Sequence, residues 1–169
     1  MTPASPAPDG VRFRQACGHF ATGVAVVTAC IGAERAGMTI NSFTSVSLNP
    51  PLVLWCLRNS ARSRPIFEAA ETFAISILSS EQLLVAQSFA IGGEDAFAAS
   101  EIFLSRRGLP LIAGGLAHLE CTTYDRRAGG DHQIMMGAVT DLQVHDGKPL
   151  LFFKGRLLKG LLQAEELDN

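Results

Sequence analysis

The sequence lacks the features that mark several large classes of protein. Lysine and arginine are scattered and the net charge is only −2, so the basic face that nucleic-acid binding normally needs is missing. No apolar run approaches the roughly 20 residues of a transmembrane helix. The chain also lacks a GxSxG nucleophile motif, an HExxH motif and any other metal-ligand cluster. We therefore expect no nucleic-acid partner, no membrane span, no metal and no hydrolase.

Cysteine is also scarce, and its spacing argues against the usual uses of the residue. It occurs four times at wide, irregular intervals, at Cys17, Cys30, Cys56 and Cys121. Because no CxxC spacing exists, disulfides and a zinc site are both disfavoured, and we predict small buried thiols. This usage is typical of the cytoplasm.

The two ends of the sequence differ in composition from the rest. The first ten residues, MTPASPAPDG, contain no basic segment followed by an apolar one, so they do not form a secretory signal. We expect a disordered tail at 1–10, one folded domain at 11–162 and a polar tail at 163–169.

Apolar residues are abundant, at 47% of a chain of 169 residues. That length suits one domain with a proper core. Such a composition indicates either a large core or an apolar surface that a second copy covers. We favour a homodimer, and a well-filled core alone remains the alternative.

The hydrophobic pattern predicts a mainly β protein. A first helix is capped by Asp9 and ends at Gly23, a second spans about 63–70, and a third begins with a capping-box pattern after Ser79 and ends near Ala90. We expect turns at 32–37 and 126–131, an irregular stretch at 91–100, and a bend near Gly137. The expected strands span 24–31, 38–43, 52–57, 72–78, 119–124, 133–144 and 149–153. About seven strands, three helices and no βαβ alternation indicate an antiparallel barrel.

Four segments in order carry a family resemblance. They are FATGVAVVTA at 20–29, GMTINSFTSVSLNPPLVLWCL at 37–57, GDHQIMMGAV at 130–139 and FFKGRL at 152–157. Together the segments resemble the short-chain flavin reductases, the reductase components of two-component flavin monooxygenases. The resemblance implies an antiparallel Greek-key split β-barrel with peripheral helices, which agrees with the pattern above.

The second of these segments is the first candidate for cofactor binding. In the resembled family it lies along the flavin ring, and this role falls here on a polar strand whose backbone groups are available to a ligand. The cofactor-binding residues implied are Gly37, Met38, Thr39, Asn41, Ser42, Ser45 and Ser47. An ordinary edge strand rich in serine and threonine is the alternative.

The phosphate site is predicted by elimination and by position. Neither GxGxxG nor GxxxxGK[ST] is present, so Rossmann and P-loop sites are excluded. Hydroxyls, arginines and backbone amides remain, and 59–63 supplies all three between a strand and a helix. We predict phosphate contacts from Ser60, Arg62 and Ser63; helix capping with solvated arginines is the alternative. The resemblance also places Gln87 and Phe89 near the flavin, although a helix end packed on the core fits equally well.

His132 is the predicted catalytic residue. The triplet Gly130-Asp131-His132 resembles that of the family, where the histidine lies by the flavin and the incoming nicotinamide. An imidazole there orients the hydride donor by a hydrogen bond. Asp131 and His132 are together assigned to nicotinamide binding. The alternative for His132 is a turn histidine that bonds to the backbone.

The C-terminal segment is the second candidate for nicotinamide binding. The resemblance implies contacts from Gly155 and Arg156, and the guanidinium suits a dinucleotide phosphate. Members of the family often carry an aromatic residue where this chain has Leu157, so a stacking contact is missing.

The resemblance implies an enzyme that reduces FMN or FAD with NADH or NADPH and passes the reduced flavin to a separate oxygenase. Two alternatives use the same barrel. One is a flavin-binding carrier or regulatory protein without turnover. The other is an oxidase of the pyridoxamine type, which would need more basic residues than this sequence supplies.

Overall fold

The computed structural model describes residues 9–160, which form four helices and twelve strands. The helices are α1 (Gly10–Cys17), α2 (Arg64–Ala69), α3 (Leu83–Ile91) and α4 (Glu94–Ala98). The strands are β1 (Thr22–Gly23), β2 (Ala25–Ile31), β3 (Glu34–Ile40), β4 (Thr44–Leu48), β5 (Pro51–Arg58), β6 (Thr72–Ile77), β7 (Ile102–Leu104), β8 (Pro110–Ile112), β9 (Ala117–Gly129), β10 (His132–Val144), β11 (Leu150–Phe153) and β12 (Arg156–Lys159). The predicted tails lie almost wholly outside the described residues.

The strands form one large antiparallel sheet and two small ones. The large sheet has seven strands in the order β3-β2-β6-β9-β10-β5-β4, so β3 and β4 are its two edges although they are adjacent in sequence. The small sheets are β1-β11-β12 and β7-β8. All pairings are antiparallel. The predicted class, a mainly β antiparallel split barrel, is confirmed.

An aromatic cluster fills the core against the large sheet. Trp55 on β5 is fully buried and meets Phe67 of α2 and Phe73 of β6 edge-on, at ring-centroid distances of 5.1 and 5.8 Å. Gly137 lies at the predicted irregularity of β10, where the register against β9 shifts. A Cβ at this position would collide with the Phe73 ring and lie 2.9 Å from Cβ of Cys121. Glycine at this irregularity therefore leaves the room that the Phe73 ring of the aromatic cluster occupies.

A second cluster joins the helices α3 and α4 to strand β3. Phe89 and Phe97 are buried and meet edge-on at 5.0 Å. A Cβ on Gly37 would lie 2.5 Å from Cε1 of Phe89 and 3.0 Å from Cζ of Phe97. Because glycine leaves this space open, the two helices pack directly against the outer edge of the sheet.

Three predicted boundaries are wrong, for physical reasons. The turn expected at 32–37 shortens to two residues, since Glu34 already pairs with Ile31. The turn expected at 126–131 shortens to Gly130 and Asp131, because β9 continues to Gly129 by pairing with the start of β10. The irregular stretch expected at 91–100 contains α4, whose Phe97 is anchored in the second cluster.

The first helix and the cysteines also differ from expectation. Asp9 caps α1 as predicted, accepting from the amides of Val11 and Arg12 at 2.9 and 2.8 Å. The helix nevertheless ends at Cys17 rather than near Gly23, and none of its residues is buried.

Of the four thiols only Cys121 is buried, and burial raises its pKa to about 12. None of the four described helices is long and apolar enough to cross a membrane.

Candidate functional site

A cavity of about 800 Å³ lies outside the β3 edge of the large sheet. One wall is β3 itself, and a second wall is the β5–α2 loop, residues 58–63. The end of α3 and the start of α4 form a third wall. His132, the first residue of β10, completes the lining. The volume of the cavity falls within the range typical of small-molecule and cofactor sites.

The β3 wall offers backbone groups and hydroxyls in definite roles. In residues 9–160, β3 pairs only with β2, so the backbone groups that point away from β2 have no strand partner. Thr39 donates its hydroxyl hydrogen to the carbonyl of Ala86 in α3 at 2.7 Å, which leaves it only acceptor capacity. Ser42 accepts from the amide of Cys56 at 3.0 Å and keeps its own hydrogen free to donate.

The β5–α2 loop supplies positive charge. Arg58 and Arg62 are exposed, line the cavity and form no salt bridge within the part of the chain that the structure describes. Arg64 is instead engaged, because its guanidinium bonds Glu68 at 2.8 Å and the carbonyl of Asn59 at 3.2 Å. Two guanidinium groups are therefore available to an anion in the cavity.

Asn59 fastens this loop to the β9–β10 hairpin. Its amide N–H donates to the carbonyl of Asp131 at 2.9 Å, and its side-chain Nδ2 donates to the carbonyl of Gly130 at 3.1 Å. Arg58 and His132 also face each other in the β5–β10 register. The cationic loop and the hairpin that carries His132 thus hold a fixed relative position.

His132 is oriented by its neighbour. Nδ1 lies 2.8 Å from Oδ1 of Asp131, and since a carboxylate only accepts, Nδ1 carries the hydrogen. The remaining ring nitrogen, Nε2, is free for a ligand. The hydrogen bond from His132 lowers the pKa of Asp131, and the positive charge of Arg58 adds a smaller contribution in the same direction. About a third of the His132 side chain is exposed, against 91% of Asp131.

The far end of the cavity contains an ion pair that the sequence did not reveal. Nε and a terminal nitrogen of Arg35 lie 3.0 and 2.9 Å from one oxygen of Glu94. The Arg35 guanidinium also sits 4.4 Å from the centre of the Phe97 ring. Gly92 and Gly93, at φ +78° and +92°, carry the chain from α3 into α4 in a conformation that glycine alone adopts easily.

The cavity brings together ten of the predicted site residues from four separate stretches of sequence. These are Gly37, Met38, Thr39, Asn41, Ser42, Ser60, Arg62, Ser63, Phe89 and His132. Six others lie outside its lining. Ser45 and Ser47 are on β4, Gln87 is on the exposed side of α3, and Asp131 reaches the cavity only through His132. Gly155 lines a separate cavity, and Arg156 is exposed on β12.

The sequence reasoning missed two kinds of lining residue. Arg58 was visible in the arginine cluster but had no assigned role, and its register opposite His132 appears only in the folded sheet. The α4 residues were missed because a five-residue helix leaves almost no periodic signal. Glu94 and Asp95 in its first turn were the available sign of a helix start.

Comparisons with known proteins show which family the chain belongs to. Residues 17–160 match the family model described as a flavin reductase like domain. The FMN reductase (NADH) SmoA of Agrobacterium fabrum is 43% identical over 85% of this chain and 82% of its own length. The reductase subunit HsaB of a flavin-dependent monooxygenase from Rhodococcus jostii is 35% identical over 90% and 79%.

A solved structure matches the fold as well as the sequence. The NADH:FAD oxidoreductase SgcE6 of Streptomyces globisporus, in complex with NAD and FAD fragments, superposes with a TM-score of 0.87 at 41% identity. The match covers 98% of this chain and 100% of the other. Both the family model and these relatives span most of the sequence. The chain therefore belongs to the flavin reductase family.

Proposed function

We propose that this protein is an NADH-dependent flavin reductase that reduces FMN or FAD and supplies the reduced flavin to a separate oxygenase. The observation that carries the proposal is the convergence of the β3 edge, two unpaired arginines and His132 on one cavity. The relatives named above are reductases that use NADH and flavin, or a reductase subunit of a monooxygenase. Because the names of two of these relatives specify NADH, we propose NADH rather than NADPH as the hydride donor.

The residues of the cavity fit a flavin. Its pyrimidine end needs donors and acceptors, which the outer backbone of β3 and the Ser42 hydroxyl provide. Its phosphate needs positive charge and hydroxyls, which Arg62, Ser60 and Ser63 provide from the β5–α2 loop. We propose that the ring lies along β3 with its phosphate toward this loop.

The flavin, when bound, supplies the hydride-accepting chemistry. The protein's own residues act by positioning. Asp131 holds Nδ1–H of His132, which leaves Nε2 to accept a hydrogen bond from an amide group of the incoming dinucleotide. Arg58, opposite His132 in the sheet, is placed to meet a dinucleotide phosphate in the role predicted for Arg156.

We also propose a homodimer in the cytoplasm. Large apolar side chains remain exposed on described residues, including Phe13, Phe20 and Leu48 at 62%, 77% and 94%. A second copy covering some of these side chains accounts for the apolar composition. The four free cysteines support a reducing compartment.

The activity is tested by mixing the purified protein with FMN or FAD and adding NADH or NADPH without oxygen. Loss of the visible absorption band of oxidised flavin, faster with NADH than with NADPH, is the expected result. Flavin binding without loss of that band would instead identify a carrier. Adding a flavin-dependent oxygenase and oxygen then tests whether the reduced flavin is passed on.

The role of His132 is tested by His132→Ala with His145→Ala as its control, because His145 is exposed and outside the cavity lining. We expect His132→Ala to slow flavin reduction on the order of tenfold to a hundredfold, since orientation is lost. Flavin affinity is expected to stay close to that of the unchanged protein. An equal loss of rate and affinity would contradict a role in orienting the donor.

A further inference from the structure

The first cavity, beside β3, contains an ion pair that has no role in the proposed reaction. Arg35 is the second residue of β3 and Glu94 is the first residue of α4, so the pair joins two walls of the cavity. Both residues line it. At the β5–α2 loop, Arg58 and Arg62 form no salt bridge within residues 9–160. The cavity therefore has free positive charge at one end and neutralised positive charge at the other.

Arg35 points to the same side of β3 as Gly37 and Thr39, two residues proposed to contact the flavin. Side chains alternate along a strand, so these three positions share one face. That face is turned toward α3 and α4, because Thr39 bonds the carbonyl of Ala86 and a Cβ on Gly37 would meet the phenylalanines of both helices. In the proposed arrangement the phosphate lies at the β5–α2 loop, so the ion pair lies at the end that takes the ring.

The geometry of the pair keeps both charges in place. Two nitrogens of the Arg35 guanidinium lie 3.0 and 2.9 Å from one oxygen of Glu94. The guanidinium also lies 4.4 Å from the centre of the buried Phe97 ring, which holds it from a second direction. The side chains of Arg35 and Glu94 are 39% and 66% exposed, so water screens them in part. The pair presents almost balanced charge to the cavity.

The proposed reaction changes the charge of the flavin ring. NADH gives up a hydride and becomes NAD⁺, and the neutral oxidised ring gains that hydride and becomes an anion until it takes up a proton. A lone guanidinium beside the ring would stabilise the anion more than the neutral ring, and so would hold the reduced flavin more tightly. A protein that supplies reduced flavin to an oxygenase must instead release it. A carboxylate that neutralises the guanidinium removes this difference in affinity.

We propose that Glu94 determines the specificity of the cavity for the oxidation state of the flavin. By pairing with Arg35 it cancels the preference for reduced flavin that Arg35 alone would give, and this favours release of the product. Arg35 in turn prevents the carboxylate from repelling the same ring. The inference rests on the proposed function, because it assigns these two residues to the ring that the cavity is proposed to bind.

The test measures the ratio of the affinities for reduced and oxidised FMN in the full chain. The midpoint potential of bound FMN, compared with that of free FMN, gives this ratio, and chemical reduction with dithionite makes NADH unnecessary. Glu94→Gln should raise the ratio about threefold, and Arg35→Gln should lower it about threefold, since each leaves one uncompensated charge in a partly solvated place. The phosphate of FMN is the same in both oxidation states, so its own attraction to Arg35 cancels.

Three control variants make the result specific. Arg35→Lys keeps the charge, and the double variant Arg35→Gln with Glu94→Gln removes both charges, so each should return the ratio close to that of the unchanged protein. Asp95→Asn removes a negative charge from the next residue of α4, which is exposed and outside the cavity lining, and should shift the ratio much less than Glu94→Gln. The Tm of every variant should stay within about 2 °C, because a partly exposed ion pair contributes little stability.

Three outcomes would overturn the proposal. The first is an equal ratio in the unchanged protein, Glu94→Gln and Arg35→Gln. The second is a shift of the same sign in both single variants, which would indicate a structural role. The third is a shift in Asp95→Asn as large as that in Glu94→Gln. If NADH still reduces FMN in any of these cases, the proposed function stands and this inference alone fails, whereas an unchanged protein that binds no FMN would contradict both.

Discussion

The two edges of the seven-stranded sheet are neighbours in sequence but have different surroundings. Strands β3 and β4 flank and share the stretch 39–47, which is rich in serine and threonine and was predicted as one binding segment. Both were predicted to contact the flavin. The cavity lies along β3, whereas Ser45 and Ser47 on β4 are outside its lining.

The difference comes from the elements that cover each edge. Helices α3 and α4 pack beside β3, and the β5–α2 loop closes the other side of the space. Strand β4 pairs with β5 and leaves Val46 and Leu48 exposed at 44% and 94%. A polar edge strand becomes a binding site only where other elements enclose it, and this is information that the strand's own sequence does not contain.

The largest expected effect comes from adding a side chain to Gly37 on the β3 edge. In Gly37→Ala the new Cβ would meet Phe89, whose ring is buried and cannot move aside. We expect a loss of about 1–3 kcal/mol in the free energy of unfolding. Chemical denaturation measures it, with Gly23→Ala as the control because a Cβ there meets nothing within 4 Å. Equal stability of the two variants would show that α3 is not fixed against β3.

The next effect separates the two edges by ligand affinity. Arg62→Ala should weaken FMN binding by about tenfold, since it removes a charged contact to the phosphate. Ser45→Ala and Ser47→Ala on β4 should leave the affinity unchanged. Flavin fluorescence titration compares the three variants. Weaker binding in the serine variants would support the prediction that β4 contacts the flavin, and it would contradict the contrast between the two edges.

A matched pair of threonines sharpens the contrast further. Thr39→Val on β3 removes the hydrogen bond to Ala86, so we expect about 1 kcal/mol of lost stability. Thr44→Val on the exposed β4 should change stability by no more than about 0.5 kcal/mol. The measurement is the denaturation midpoint of each variant. Equal midpoints would mean that the bond to α3 contributes nothing measurable.

The smallest expected effect is on the pH dependence of stability, and it compares a buried histidine with a partly exposed one. His118 is buried, and burial followed by the charge of His145 lowers its pKa below the ordinary 6.5. The unfolded chain therefore binds more protons below pH 6.5, and stability is lost as pH falls through the folded pKa. We expect His118→Gln to flatten this decline, and His132→Gln at the cavity to leave it unchanged. Denaturation at several pH values measures the slopes, and equal slopes for all three proteins would contradict the assignment.

Much of the fold could be read from local patterns. Continuous apolar runs predicted β2 and β5, and alternation of apolar and small polar residues predicted β6. These predictions were possible because the apolar pattern of each segment shows which of its faces are buried. Proline at the start of α2 and the side chain of Asp9 before α1 marked those helix starts. The Gly-Asp-His triplet placed His132 directly before a strand expected at 133–144, and in the structure it is the first residue of that strand.

The remainder depended on contacts between distant residues. The extension of β9 through Arg127 to Gly129 is set by pairing with β10 rather than by β-propensity. The role of Thr39 as an anchor for α3 depends on a carbonyl 47 positions away. Gly155 and Arg156 were assigned to the nicotinamide by resemblance, yet in the described chain they lie outside the first cavity. Such relationships are not encoded in any single segment.

The two bonds from Asn59 have a consequence for redesign. Because the side chain and backbone of one asparagine join the loop that holds positive charge to the hairpin that presents an imidazole, neither part can shift alone. In the proposed arrangement, a variant selected to accept a bulkier or shorter flavin tail would displace the hydride-donor side as well. Broadening cofactor choice in this protein should therefore slow turnover until a compensating change arises in the hairpin.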